Sequence, residues 1–373
     1  MSPQVAAAII AASVSALTLI GTLAAQYFGR RDTRKALAEQ GKQLDRTLAE
    51  QRTRTLNERF ATASEQLGSD KSAVRLAGVY AMAGLADDWE ENRQTCVDVL
   101  CAYLRMPYEP DPGQDAPERE RLAFGASREV RHTVIRIITA HLKTGAAKSW
   151  QGLNFDFTGV VFDGGDFYGV QFSGGTVSFK NARFSSGEVD FSEAKFSGGS
   201  VSFSGAEFSG GEVGFKRARF SGGMVAFIGT EFSGGSVSFE AAGFSGGTVW
   251  FGDAVFSGGR VSFEVARFSG GDVDFEGTGF SGGTVNFGGA EFSGGSVSFE
   301  SVWFSGGEVG FGYAVFSGGR VSFESAGFSG GTVDFSDARD WSCPPAFPWT
   351  DTPPPGVKLP KREDQSQAQG QAN

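Results

Sequence analysis

The chain has 373 residues, with 33 Lys plus Arg against 43 Asp plus Glu, 55 Gly, 36 Phe, three Cys and two His. Glycine is at about twice its usual ~7% share, yet it does not fall at every third position, which excludes a collagen helix. Two histidines and three cysteines are too few for a His-based zinc centre or a disulfide framework, so no metal and no cofactor is expected.

Residues 5–28 carry no charged side chain and intersperse Ile9, Ile10, Val14, Leu17, Leu19, Ile20 and Leu23 among alanines. At ~1.5 Å per residue such a run crosses a hydrocarbon core of roughly 30 Å, and the expectation is a single transmembrane helix in contact with the lipid bilayer. A secretory signal would place basic residues before its apolar stretch, whereas Met1 to Gln4 has none and Arg30, Arg31, Arg34 and Lys35 follow it. Because basic residues flanking a span stay inside, the sequence predicts a single-pass protein of the cell membrane with its N-terminus outside and the rest of the chain cytoplasmic.

Residues 30–60 are rich in Lys, Arg, Glu, Gln, Ala and Leu and read as a solvated helical stalk, with Arg46 and Glu50 spaced for an i,i+4 pair. Leu37, Leu44, Leu48 and Leu56 are too irregular for a sustained heptad seam, so weak self-association and a monomeric spacer both stay open. Residues 61–148 form a small helical module with three helical faces: Leu76, Val79, Met82, Ala83 and Ala86; Val97, Leu100, Cys101 and Leu104; and Val130, Val134, Ile137, Ile138 and Leu142. Ser69 or Asp70 is expected to cap the first helix, and Pro107 to end the second. Cys96 with Cys101, and His132 with His141, do not repeat a metal-ligand spacing and read as core or surface residues.

From Phe172 a unit of the form Phe-Ser-Gly-Gly-x-Val-x-Phe-x-x-Ala-x recurs every 12 residues through Arg339, fourteen times without insertion, with Ser186 in place of one Gly and Thr230, Thr278 and Val302 at the Ala position. Such a period means stacked units, none able to bury its apolar face alone. Val-x-Phe and Ala-x-Phe alternate in steps of two, so both apolar members face one way along an extended segment, and Ser-Gly-Gly supplies the turns. The array from 153 to 339 is therefore expected to be a parallel β-solenoid. Residues 340–349, with Trp341, Phe347 and Trp349, are expected to cap its last coil, and residues 350–373 to form a disordered tail.

Ahead of the repeat, Phe157, Phe162, Phe167 and Phe172 stand five apart, with Phe155, Val160, Gly165 and Val170 two places before each. In this five-residue beat the chain resembles the pentapeptide repeat family, and the anchor, helices and array together resemble its membrane-anchored bacterial members. The resemblance implies a right-handed quadrilateral parallel β-helix, giving a mainly β protein with an α-helical N-terminal part. After Phe172 the inward spacing alternates seven and five. A four-sided coil made of two repeat units and a flattened coil made of one are both possible. The first stacks Glu276, Glu300 and Glu324 in one column. The second overpacks two Phe per short layer at ~1 to 3 kcal/mol per site, so the two-unit coil is preferred.

No Ser-Gly-Gly is followed by Lys and a helix, as a phosphate loop requires, and no base is placed beside the repeating serines; no catalytic residue is identified, and the chain reads as a non-enzyme. Residues 172–339 carry 10 Lys plus Arg against 18 Asp plus Glu, which argues against direct nucleic-acid binding. The expected role is a membrane-anchored scaffold or protein-interaction module for an unidentified protein partner, with Trp250, Trp303, Asp272, Asp274, Glu276 and Glu300 as candidate contacts. The alternative, implied by the resemblance, is a DNA-mimicking inhibitor of a topoisomerase such as gyrase, for which Glu308 and Glu324 are further acidic candidates.

Overall fold

The computed structural model describes residues 2–109 and 111–361, and the chain divides into two compact units, residues 1–61 and 62–373. The stretches expected as a span and a separate stalk form one continuous helix, α1 (Pro3–Leu67). Neither Gly29 nor Gly41 interrupts it, since an isolated glycine costs a helix only ~1 kcal/mol. Its segment Pro3–Gly29 is long and apolar enough to cross a membrane, with a mean hydropathy of 2.0 and no buried residue. Ser13, Ser15, Thr18 and Thr22 each donate their hydroxyl to a carbonyl three or four residues earlier. These side chains therefore need no water, the condition a hydrocarbon environment imposes.

In the second unit three helices follow: α2 (Ser72–Asp88), α3 (Arg93–Arg105) and α4 (Glu118–Leu142). The N-cap of α2 is Lys71, in an extended conformation and without a side-chain cap. Ser69, expected there, instead accepts a hydrogen bond from the Lys71 backbone at 3.2 Å. The predicted apolar faces meet in a core of Val79, Met82, Val97, Leu100, Val134 and Ile138. Cys96 and Cys101 lie inside it, and burial pushes their thiols up to about 11 and about 12. His141 stacks on Trp150 at 3.9 Å, and both reach Asp87, through His141 Nε2 at 3.3 Å and Trp150 Nε1 at 3.0 Å.

Two repeat units make one coil of the solenoid: Phe172 pairs with Phe196, Phe220 with Phe244 and Phe268 with Phe292, all parallel. Two sheets of eight and fifteen strands wall it. Ser-Gly-Gly interrupts them by a register shift or a break between strands, so each sheet supplies two sides. In the coil of residues 170–193 the inward pairs are Val170 and Phe172 on the first side, Val177 and Phe179 on the second, Ala182 and Phe184 on the third, and Val189 and Phe191 on the fourth.

The ring columns explain the regularity. Phe203, Phe227, Phe251 and Phe275 stack at 4.6 to 4.8 Å on the second side. Each also meets the fourth-side column edge to face, as Phe227 meets Phe239 at 5.7 Å, the offset that aromatic quadrupoles favour. Thr230 and Thr278 take third-side alanine positions, and their buried hydroxyls donate to Phe203 O and Phe251 O of the preceding coil. Corner glycines are required by close approach. Gly247 has φ +71, and a Cβ there would lie 2.6 Å from Gly223 O.

Both ends are covered. At the start, Arg105 at the end of α3 pairs with Asp156 of the first coil at 2.6 Å. At the far end, Trp341 packs edge-on to Phe316, Phe347 stacks on Phe323 and Trp349 meets Phe328 edge-on. The chain then departs from the disordered tail expected from residue 350, because Val357–Lys358 adds a further parallel strand beside Val333 and Asp334. Apolar Val357 is 8% exposed there, and Lys358 Nζ pairs with Asp334 at 2.8 Å. Residues 362–373 of the expected tail lie outside the described residues.

Candidate functional site

Register sorts the candidate contacts onto sides. On the second side Thr248 and Trp250 lie directly beside Asp272 and Asp274, and Met224 and Ala226 lie beside Thr248 and Trp250 from the other direction. Glu276 borders Gly252, because the Asp253 amide donates to its carbonyl. Glu300 occupies the same position one coil further on, beyond Ser296 and Ser298. Five of the six candidates thus share one side: Trp250, Asp272, Asp274, Glu276 and Glu300. Half-buried Met224 and exposed Ile228, in the coil before Trp250, extend its apolar surface.

The position between Val and Phe is recessed, and Ser202 and Ala226 are buried in it although they face outward. An indole cannot sink into that space, so Trp250 projects and stays 37% exposed. Among the described residues Asp272, Asp274 and Glu276 have no ion-pair partner. Asp274 Oδ1 accepts a hydrogen bond from the Glu276 amide at 2.8 Å, which holds the turn. Further along, Arg320 Nη2 approaches Glu300 Oε1 at 3.8 Å, tempering the Glu276, Glu300, Glu324 column.

Trp303 is elsewhere. It belongs to the third side, in line with Val255, Gly279 and Gly327. Its ring lies over Gly327, where a Cβ would fall 2.6 Å from Trp303 Cε3, leaving the indole 60% exposed. Glu308 belongs to the fourth side, beside Thr284 and Thr332, apart from the acidic group. That side also holds a depression of about 600 Å³ lined by Tyr168, Glu188, Asp190, Glu193, Lys216 and Arg217; its charges are mixed, and Arg217 approaches Glu193 at 3.7 Å. The first side carries Lys195 and Arg219 in adjacent register and Arg267 paired with Glu291 at 3.4 Å.

A polar cluster that sequence reasoning missed joins the helices to the first coil. Asp163 accepts hydrogen bonds from Tyr108 Oη at 2.7 Å and Arg128 Nε at 3.1 Å, and His132 Nε2 lies at 2.9 Å, as the donor to an ionised carboxylate. Burial alone would raise its pKa, but these donors and the Arg128 charge hold it down at about 2. Beneath it Arg131, 4% exposed, donates to Leu104 O and Val161 O and lies 4.2 Å over the Tyr108 ring. Its own pKa is lowered by burial, and Tyr108 is raised by burial and by its bond to Asp163. Every member has a structural partner, so the cluster works as a clamp. One signal marks it: Asp163 stands where the later coils place a corner serine, Ser185 being the first. Among the described residues no group of His, Cys, Asp and Glu is placed to hold a metal ion.

A family model described as Pentapeptide repeats (9 copies) matches residues 157–207. No curated protein and no solved structure matches the chain. The matched segment opens on the five-residue beat at Phe157 and runs into the twelve-residue units, so the start of the solenoid is similar to pentapeptide repeats.

Proposed function

We propose that the chain is a non-catalytic scaffold of the cell membrane, tethered by residues 5–28, with its N-terminus outside and its solenoid in the cytoplasm, where the second side receives a protein partner. The observation that carries this reading is the division of roles within each coil. Inward positions repeat Phe, Val and Ala and are buried, while the outward position at 178, 202, 226, 250 and 274 runs Ser, Ser, Ala, Trp, Asp on an unchanged backbone. Recognition can vary there without disturbing the core.

The tether draws on the unburied apolar helix and its internally bonded hydroxyls, and the orientation on Arg30, Arg31, Arg34 and Lys35. A DNA mimic needs continuous acidity, and no observation favours one here: Lys195 and Arg219 run along the neighbouring side. Membrane vesicles of both orientations test the proposal. The chain should resist carbonate extraction, and protease should digest the solenoid only in inverted vesicles. Release by carbonate, or digestion from outside intact cells, overturns the tether or its orientation.

A further inference from the structure

We infer that the second side binds an extended basic peptide segment carrying a large apolar anchor, the anchor seated against Trp250 and the basic residues over Asp272, Asp274 and Glu276. This deepens the proposed scaffold role and rests on its reading of that side, though not on which side of the membrane the solenoid occupies. Two features coincide in three consecutive coils. Met224, Ile228 and Trp250 present apolar surface, and directly in register beside Trp250 begins a group of three carboxylates with no ion-pair partner among the described residues. Exposed aromatics in partly recessed settings are the residues that anchor partners, and uncompensated charge beside them selects the sign of what docks.

Spacing sets the peptide's pattern. Successive coils are ~4.8 Å apart, so the Met224 coil and the Asp272 coil, two coils apart, are separated by roughly 10 Å. An extended segment rising ~3.3 Å per residue covers that distance in about three residues. The favoured ligand is therefore a Leu or Phe anchor followed two to five residues later by Lys or Arg. Other coils carry Ser at the register position of Trp250 and Asp274, as at Ser202, two coils before Trp250, and Ser298, beside Asp274, so Ser variants keep the fold. Ser298 Oγ also accepts from the Glu300 amide the same turn hydrogen bond that Asp274 Oδ1 accepts from the Glu276 amide.

The test uses the full chain in detergent micelles and fluorescence anisotropy with a labelled peptide, acetyl-Gly-Leu-Phe-Gly-Lys-Arg-Lys-Gly-amide. A second peptide replaces Leu-Phe by Ser-Ser, and a third replaces the basic residues by Glu. The first peptide should bind at least tenfold more tightly than either control. Trp250→Ser, and separately the pair Asp272→Ser with Asp274→Ser, should each weaken it at least tenfold. Trp303→Gly on the third side should change it less than twofold. Equal binding of the Ser-Ser peptide, an unchanged affinity in Trp250→Ser, or the same loss in Trp303→Gly overturns the inference. Because sidedness does not enter this measurement, its failure is separate from failure of the vesicle assay.

Discussion

Replacing Asp163 by Asn tests how the helices are held on the first coil. The amide keeps the size of the carboxylate but removes the charge that faces Arg128 and His132. A carboxyl held at about 2 instead of 3.8 contributes about 2.4 kcal/mol at neutral pH, at ~1.36 kcal/mol per pKa unit. Its side chain is only 12% exposed, so solvent screening discounts this little. Reorientation of the donors left behind adds to the loss, and about 2 to 4 kcal/mol is expected in all. The folded-state pKa is depressed, so the stabilisation is complete above about pH 5 and disappears as pH falls from about 4 towards 2. Native-state hydrogen exchange of peptides from α3 and α4, with the full chain in micelles, reads the opening free energy of this region. Asp163→Asn should lower it at pH 7, and the difference from the parent should shrink to near zero by about pH 2. A variant that matches the parent to within ~0.5 kcal/mol at pH 7, the range of an inconsequential surface substitution, would refute the clamp. So would a difference that stays constant with pH.

Three further outcomes follow from local geometry. Val265 has φ +50 and its side chain is 47% exposed, a conformation disfavoured by ~1 to 2 kcal/mol for an L-residue; Val265→Gly should stabilise the solenoid by about 1 kcal/mol in urea unfolding, and destabilisation would contradict the strain. Gly247→Ala meets both positive φ and Gly223 O and should cost more than ~2 kcal/mol, whereas Gly243→Ala, with nothing within 4 Å of its Cβ, should fall within ~0.5 kcal/mol of the parent. A thiol reagent at pH 8 should modify exposed Cys343 alone in the native chain and all three cysteines in denaturant, since Cys96 and Cys101 are buried with raised pKa values; rapid native labelling of more than one thiol would contradict the packing of the helical core.

The solenoid was legible because a two-residue alternation and a constant period leave few ways to bury so many rings. The choice between one and two repeat units per coil followed from the volume of two Phe per layer. Placement on sides was legible only after that choice, since the two-unit winding puts Trp250 and Trp303 on different sheets. The Asp163 cluster escaped notice because its partners lie 31 to 55 residues away and only folding brings them together. Val357–Lys358 escaped because two residues behind a Pro-rich stretch carry no periodicity, and their strand exists through pairing with Val333 and Asp334. The continuity of α1 was hidden by the change from apolar to charged composition near Gly29, which alters what surrounds a helix without altering its backbone.

Because each winding consists of two halves with nearly the same interior, insertions obey a parity rule. Adding or removing a whole winding lengthens or shortens the array and leaves every downstream residue on its original face. A change of half a winding keeps Phe above Phe, yet it rotates everything downstream by half a revolution, carrying Trp250 from one wall to the opposite one. Odd and even copies of this unit are thus two versions of the same exterior, exchangeable without redesigning what lies inside.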